Sequence, residues 1–132
     1  MTTDISDSVQ IEFCRRILKE REEKRRKQRE LERENLICRV KEAIQQVAPS
    51  FPVEKVFLYG SILTGHWRPD SDIDIVVEGR LSPEEFFALW RELDRRLDEK
   101  VDLRELEKLP FRERVKSRGV ILYERKNSSS FA

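Results

Sequence analysis

Two aspartates separated by one apolar residue are the strongest chemical signal in the sequence. Asp72 and Asp74 flank Ile73 and precede an apolar run that ends at Val77. Side chains two positions apart in a β-strand point to the same face, so a strand here places both carboxylates together. On a surface strand the two anions would simply be solvated. In an internal strand they are costly without a counter-ion, and oxygen-only ligands suit Mg²⁺, so the pair predicts a divalent metal site.

Two further features could complete such a site. Gly60-Ser61 directly follows an apolar run at 56–59, and a glycine turn with exposed N–H groups and a hydroxyl can hold a phosphate. By itself, a strand that ends in Gly-Ser is usually only a turn. Asp102 lies inside another short apolar segment, where a lone aspartate is more often a strand-end residue than a ligand. If the sheet brings Asp102 beside Asp74, three carboxylates and a triphosphate need about two divalent ions, the arrangement used for in-line displacement at phosphorus.

The elements that must position these residues follow one another in the order of a small α+β domain. Pro49 and Pro52 end a long N-terminal helix. Ser82-Pro83-Glu84-Glu85 is a capping box with proline at the first helical position, and it predicts a helix that continues to Leu97. A last helix is predicted over 111–118. Apolar periodicity predicts strands or returning apolar segments at 56–59, 73–77, 101–103 and 120–123.

Residues 1–48 differ in composition from the rest of the chain. From Ser8 to Val47 there is no Gly or Pro, which predicts one long helix or two helices in line. The middle of this segment, 19–30, has no apolar side chain and more cations than anions. A stripe that should pack on the following domain is formed by Leu36, Ile37, Val40, Ile44 and Val47. A second stripe, which is either a solvated extension or a docking arm for another chain, is formed by Ile11, Cys14, Ile17 and Leu18.

The composite pattern resembles the DNA polymerase β-like nucleotidyltransferase superfamily, and within it the minimal nucleotidyltransferases (MNT). Gly60-Ser61, ten residues and then Asp72-x-Asp74 are followed by a later apolar-Asp-apolar triplet. The resemblance covers roughly residues 53–125 and includes the closing pattern Val115-x-x-x-Gly119-Val120-x-Leu122-Tyr123. It implies a polymerase β-like α+β fold, with a small mixed sheet flanked by helices. We expect an N-terminal docking arm at 1–48, the nucleotidyltransferase domain at 49–126 and a polar tail at 127–132.

The resemblance also implies roles for the site residues. Asp72 and Asp74 would bind two Mg²⁺ ions, and Asp102 would bind the catalytic one and take the acceptor proton. The substrate would be ATP, with its triphosphate held by Gly60 and Ser61.

One departure concerns the cation of the motif. Many relatives read Gly-Ser-x-Ala-Arg-Gly, whereas Leu63-Thr64 precedes Gly65 here, so the usual arginine is absent. Arg68 or His66 could supply a cation, and Arg68 and Ser71 are further nucleotide-binding candidates. Two aromatic residues could stack on a nucleobase, Trp67 and Tyr59, although Tyr59 is more simply a core residue.

The resemblance is closest to the antitoxins of HEPN–MNT toxin–antitoxin pairs. Those proteins transfer AMP from ATP to a tyrosine of a HEPN ribonuclease toxin and silence it. The resemblance implies that this protein carries out the same reaction and binds the toxin in part through residues 1–48. Two other functions stay open: a catalytically idle fold that masks a toxin, and a nucleotidyltransferase that acts on a small molecule such as an antibiotic.

Composition argues against several other classes of protein. No apolar run approaches the ~20 residues that span a bilayer, and the N-terminus lacks the features of a signal peptide. Glutamates interrupt the cations of 19–30, so we expect no direct binding to nucleic acid. Cys14 and Cys38 are expected to be buried or half-buried reduced thiols. Together these features predict a cytoplasmic protein, and the resemblance to toxin–antitoxin pairs implies a prokaryotic one.

Overall fold

The computed structural model describes residues 3–126, with side chains described from Asp7 onward. The predicted polar tail at 127–132 lies outside the described residues. The chain forms two compact units, Met1–Glu34 and Asn35–Ala132. No helix within the described residues has the length and apolar character needed to cross a membrane.

The first unit consists of one helical segment. Helix α1 spans Thr3–Val47 without a break, which confirms one helix rather than two in line. Several of its apolar side chains in this unit are exposed, namely Val9, Ile11, Phe13, Leu18 and Leu31. At 100° per residue, Val9 and Phe13 lie on the opposite side of the helix from Ile11 and Leu18. The unit therefore exposes apolar side chains along the predicted stripe, which contains Ile11 and Leu18, and also on the opposite side of the helix.

A four-stranded mixed sheet forms the centre of the second unit. Its strands are β1 (Val53–Tyr59), β2 (Ile73–Gly79), β3 (Val101–Glu105) and β4 (Val120–Glu124), in the order β3-β2-β1-β4. Strand β1 is antiparallel to β2 and β4, whereas β2 and β3 are parallel. Helix α2 (Pro83–Arg96) connects the parallel strands, and the short helix α3 (Arg112–Arg118) precedes β4. This architecture confirms the predicted α+β fold with a small mixed sheet.

One face of the sheet buries the main core. Val56, Leu58, Ile73, Ile75 and Val77 are fully buried on it. The core also contains the C-terminal part of α1 and one side of α2, through Leu36, Val40, Ile44, Val47, Leu89 and Leu93. The predicted α1 stripe therefore packs as expected. Residues of alternate position in the strands face the other side, where a smaller cluster contains Phe57, Val76, Leu106, Leu109 and Val115.

Both cysteines are free and exposed, so the prediction of buried thiols is wrong. Cys38 lies two residues from both Leu36 and Val40, which are buried. A step of two residues in an α-helix turns the side chain by about 200°, so Cys38 points to the solvent side. Cys14 lies in the first unit, where the neighbouring apolar residues are exposed as well.

Helix α2 is anchored at its start and along its length. The Ser82 hydroxyl accepts from the Glu85 N–H at 3.1 Å, and the Glu85 carboxylate accepts from the Ser82 N–H at 2.9 Å, which confirms the capping box. Further along, the Trp90 indole N–H donates to the Val101 carbonyl at 2.9 Å. This bond ties α2 to the first residue of β3, directly before Asp102.

Candidate active site

The parallel pairing of β2 and β3 brings two of the predicted site residues together. Asp74 and Asp102 are register partners in these strands, and neighbouring strands lie about 4.8 Å apart. Because Ile73 and Ile75 occupy the core face, the two carboxylates lie on the opposite face of the sheet. Both residues are partly buried, whereas Asp72, directly before β2, is exposed. The sheet thus supplies the adjacency on which a joint role for Asp74 and Asp102 depends.

The surroundings of Asp74 disfavour its negative charge. Burial raises the pKa of the Asp74 carboxyl above its ordinary value, and the charges of Asp102 and Asp72 also raise it, while Arg104 opposes them. The Arg104 guanidinium lies 3.3 Å from a carboxylate oxygen of Asp102. The site therefore concentrates negative charge that one arginine balances only in part.

The donor set suits Mg²⁺, although it is not assembled as a three-ligand site. Among residues 3–126, no three carboxylate, imidazole or thiol groups lie close enough together to hold one ion. Two effects give a physical reason why the carboxylates stay apart. They repel one another, and the ion pair with Arg104 holds the Asp102 carboxylate. Mg²⁺ uses oxygen ligands and keeps several waters, so one or two carboxylates plus substrate phosphates suffice to bind it. Asp74 and Asp102 fit that requirement, and the predicted metal role of Asp72, Asp74 and Asp102 stays a prediction.

Gly60 lies directly against the Asp74 carboxylate. Its φ of 92° is in the region that favours glycine, and a Cβ built on Gly60 would come closer than 3.0 Å to Oδ2 of Asp74. Tyr59, the preceding residue, is the register partner of Asp74 in β1. Ser61 then begins a short 3₁₀ turn, Ser61–Leu63, with the Leu63 N–H donating to the Gly60 carbonyl at 3.0 Å. The Gly-Ser turn and the aspartates thus belong to one site.

The remaining predicted residues lie on the loop between Ser61 and β2. The Arg68 N–H donates to the Ser71 hydroxyl at 3.1 Å, and the Ser71 N–H donates to the Arg68 carbonyl at 2.9 Å. These bonds close a turn directly before Asp72. The Arg68 and His66 side chains are exposed, and neither lines the pocket that contains Asp74. Trp67 is only 5% exposed and lies in the main core, so the prediction that it could stack on a nucleobase is wrong.

A pocket of about 210 Å³ opens over the carboxylates. Its lining includes Tyr59, Asp74, Asp102, Arg104 and Phe111. The rings of Tyr59 and Phe111 stack with their centroids 5.9 Å apart, which gives the pocket one aromatic wall. An acidic floor, one cation and an aromatic wall form a site of a size and character that can hold part of a nucleotide.

Comparison with known proteins identifies the family to which this fold belongs. The sequence model of the family described as "Polymerase beta, Nucleotidyltransferase" matches residues 41–128. The chain belongs to this family. The resemblance seen in the Gly-Ser and Asp-x-Asp pattern to nucleotidyltransferases is thereby confirmed.

Solved structures agree with the family. A structure described as a minimal nucleotidyltransferase is 27% identical to this chain, with a TM-score of 0.57 over 67% of this chain and 93% of that one. A toxin–antitoxin structure with AMP-PNP is 24% identical, with a TM-score of 0.55 over 69% of this chain and 78% of that one. A protein from Shewanella oneidensis is 19% identical, with a TM-score of 0.50 over 70% and 76% of the two chains. The last two show a shared fold. Comparison with curated proteins gives no match.

Arg104 is the site residue that the sequence interpretation missed in this nucleotidyltransferase domain. It follows Asp102 by two positions in β3, so it shares the face of the sheet that carries the carboxylates. The same spacing rule that linked Asp72 to Asp74 could therefore have indicated it. The motif position that usually holds arginine lies directly before Gly65, in another segment of the chain. The substitutes that the sequence suggested, Arg68 and His66, are close to that position, whereas Arg104 is not.

The charge on Asp74 should lower the stability of the nucleotidyltransferase domain at neutral pH. Because its pKa is raised in the folded state, protonated Asp74 favours folding, and that benefit is lost as the pH rises through the folded pKa. We therefore expect Asp74→Asn to unfold at a higher temperature than the wild type at pH 7. The difference should vanish near pH 3, below the ordinary aspartate pKa of about 3.9. Thermal unfolding in EDTA at pH 7 and at pH 3 measures the two differences in unfolding temperature. A variant less stable than the wild type at pH 7 would contradict the prediction.

Proposed function

We propose that this protein transfers AMP from ATP, with Mg²⁺, to a tyrosine hydroxyl of a HEPN-type ribonuclease toxin and thereby inactivates it. The observation that carries the proposal is the pairing of Asp74 with Asp102 across β2 and β3, with Gly60 packed against Asp74. This arrangement occurs in a chain of the polymerase β nucleotidyltransferase family. It combines a site for divalent cations with a turn that can hold a triphosphate.

The residues would divide the reaction between them. Asp72, Asp74 and Asp102 would hold the divalent ions together with the triphosphate. The backbone N–H groups and hydroxyl of Gly60-Ser61 would bind the phosphates. Bound Mg²⁺ supplies neutralisation of the charge that develops on the phosphates. Asp102 would accept the proton of the acceptor hydroxyl while the oxygen of that hydroxyl forms a bond to the α-phosphorus of ATP. The bond from that phosphorus to the bridging oxygen breaks, and pyrophosphate leaves.

Arg104 would serve as the cation of this site. It lines the pocket over the carboxylates, whereas Arg68 does not line that pocket. Its guanidinium also pairs with Asp102, which orients that carboxylate within the site. We therefore assign to Arg104, and not to Arg68, the contact with substrate phosphate that the absent motif arginine would make.

Two observations support a protein acceptor that is a toxin. The toxin–antitoxin structure that contains AMP-PNP shares the fold of this chain. In addition, Val9, Ile11, Phe13 and Leu18 are exposed on two sides of the first helical unit. An exposed set of large apolar side chains is typical of a surface that binds another protein. We propose that residues 1–48 dock the ribonuclease.

Transfer of label tests the function directly. The full chain is incubated with MgCl₂, α-³²P-labelled ATP and the HEPN ribonuclease encoded beside it. We expect label on the ribonuclease and loss of its RNA-cleaving activity. The double variant Asp72→Asn/Asp74→Asn should transfer no label. Absence of label with the wild-type protein would refute the transfer.

The same experiment distinguishes the two alternative functions. A masking antitoxin would inhibit the ribonuclease without transferring label, and the double variant would inhibit it as well as the wild type does. Removal of residues 1–18 would abolish this inhibition. A small-molecule nucleotidyltransferase would instead yield a labelled small product from a cell extract depleted of protein. Either result would replace the proposed function.

A further inference from the structure

A second pocket lies at the edge of the sheet beside β3. It measures about 350 Å³, and its walls are mostly apolar. They include Leu81, Pro83, Phe86, Phe87 and Leu109, with Arg104 as a cation on the rim. Phe87 is 58% exposed, although it lies in a regular helix with a well-packed opposite side. An exposed aromatic ring in a concave apolar pocket is typical of a binding site.

The aromatic wall of this pocket is held in place by packing. Phe86 contacts Phe87 edge to face, with ring centroids 5.6 Å apart, and contacts Trp90 in the same manner at 5.8 Å. Trp90 is in turn hydrogen-bonded to the Val101 carbonyl of β3. The pocket wall and the strand that carries Asp102 are therefore connected by direct contacts. A wall positioned in this way loses little conformational entropy when a ligand binds.

This pocket adjoins the site over the carboxylates. Arg104 and Leu109 line both pockets. The two pockets therefore meet at these side chains, and the Arg104 guanidinium lies 3.3 Å from the Asp102 carboxylate. The apolar pocket is thus a neighbour of the candidate active site.

The chemistry of transfer indicates which substrate this neighbouring pocket receives. In the order β3-β2-β1-β4, Gly60-Ser61 follows β1, on the opposite side of β2 from β3. In an in-line displacement the nucleophile enters opposite the leaving group. If Gly60-Ser61 holds the leaving pyrophosphate, the acceptor hydroxyl approaches from the β3 side, where the apolar pocket lies.

We infer that the apolar pocket is a subsite for the polypeptide that receives the nucleotide. It binds the aliphatic or aromatic side chain of the residue next to the one whose hydroxyl is the acceptor. The inference rests on the proposed function and adds an acceptor subsite to it. Phe87 is the main contact, and it makes the enzyme prefer a hydroxyl residue with an apolar neighbour. Arg104 is paired with Asp102 and Lys108 with Glu105, so no anion of this lining is left for a cationic neighbour, which would lose hydration against the apolar walls.

Synthetic acceptors test this subsite in the full-length protein. Three nonapeptides contain one tyrosine and differ only in the residue that follows it, which is leucine, glycine or lysine. AMP transfer from ATP with MgCl₂ is measured by mass spectrometry at varied peptide and ATP concentrations. The variant is Phe87→Ala, and the matched control is Ile121→Ala, since Ile121 is an apolar side chain of β4, 47% exposed at the other edge of the sheet.

We expect the leucine peptide to have the highest kcat/KM. Phe87→Ala should raise its KM about tenfold, as expected for loss of a central apolar contact, and should leave the KM for ATP unchanged. The glycine peptide should respond little to Phe87→Ala, and Ile121→Ala should behave as the wild type. An equal kcat/KM for the three peptides would overturn the subsite. A rise in the KM for ATP alone would also overturn it, because the pocket would then hold the nucleobase.

A binding measurement separates failure of this inference from failure of the proposed function. If the wild-type protein transfers AMP neither to the ribonuclease nor to any peptide, the transferase function is wrong. The leucine peptide should nevertheless perturb the NMR amide resonances of Phe87 and Leu109 in the wild type, and the peptide should bind about tenfold more weakly to Phe87→Ala. Absence of any perturbation at these residues would overturn the pocket as a polypeptide site.

Discussion

Asp74→Asn is expected to lower kcat/KM for AMP transfer by about 10³-fold. Asp74 is partly buried between Gly60 and Asp102, and in the proposed reaction its carboxylate would bind the divalent ion. Asparagine keeps the shape of the side chain but removes the negative charge, and loss of several kcal/mol of charge stabilisation corresponds to this factor. Label transfer at saturating ATP and MgCl₂, with the ribonuclease concentration varied, measures this kcat/KM.

Glu78→Gln provides the matched control for this loss. Glu78 lies on β2 four residues after Asp74, on the same face of the strand and partly exposed. Glu78 does not line the pocket that contains Asp74. The Glu78→Gln variant should transfer AMP at the wild-type rate. If Asp74→Asn kept more than a tenth of the activity, Asp74 would not be a ligand of the catalytic metal.

Gly60→Ala is expected to reduce AMP transfer about 100-fold or more and to destabilise the domain by about 1–3 kcal/mol. Two independent effects produce the loss. A non-glycine residue is strained at a φ of 92°, and the added methyl would come closer than 3.0 Å to Oδ2 of Asp74. The Asp74 carboxylate must then move or the turn must open, and either change disrupts the proposed contacts with the triphosphate. Urea unfolding and label transfer measure the two effects separately.

Gly65→Ala is the corresponding control on the same loop. Apart from Gly65 itself and its two chain neighbours, no described residue would have a heavy atom within 4 Å of a Cβ at Gly65, and the φ of Gly65 lies outside the strained region. The variant should keep its stability and activity. If Gly60→Ala were as active as Gly65→Ala, the close approach of Gly60 to Asp74 would have no functional role.

Much of the local structure follows from the amino-acid pattern. Ser82, Pro83 and Glu85 satisfy their own capping geometry within one turn, so the start of α2 is a local property. The alternation of Ile73, Ile75 and Val77 with Asp74 determines which side chains share a face of β2. Helix α1 likewise follows from a segment without glycine or proline.

The sequence interpretation missed or misassigned several residues because their positions depend on tertiary packing. Trp67 was considered as a base-stacking residue but is buried, because its loop folds back onto the main core. Arg104 and Phe87 carried no motif, and each acquires its place only when α2 and β3 pack beside β2. The exposure of Cys38 follows from which side of α1 meets the sheet.

The sequence by itself determined the acidic pair, the glycine turn and the elements that carry them, since these depend on residues within a few positions of one another. The tertiary structure decided that Asp102 pairs with Asp74, that Gly60 contacts the Asp74 carboxylate, and that Arg104 joins two pockets. Asp74 and Asp102 are separated in the chain by the whole of α2. Their register is set by the packing of β2, β3 and α2 on a common core, and such packing cannot be read from any local window of the sequence.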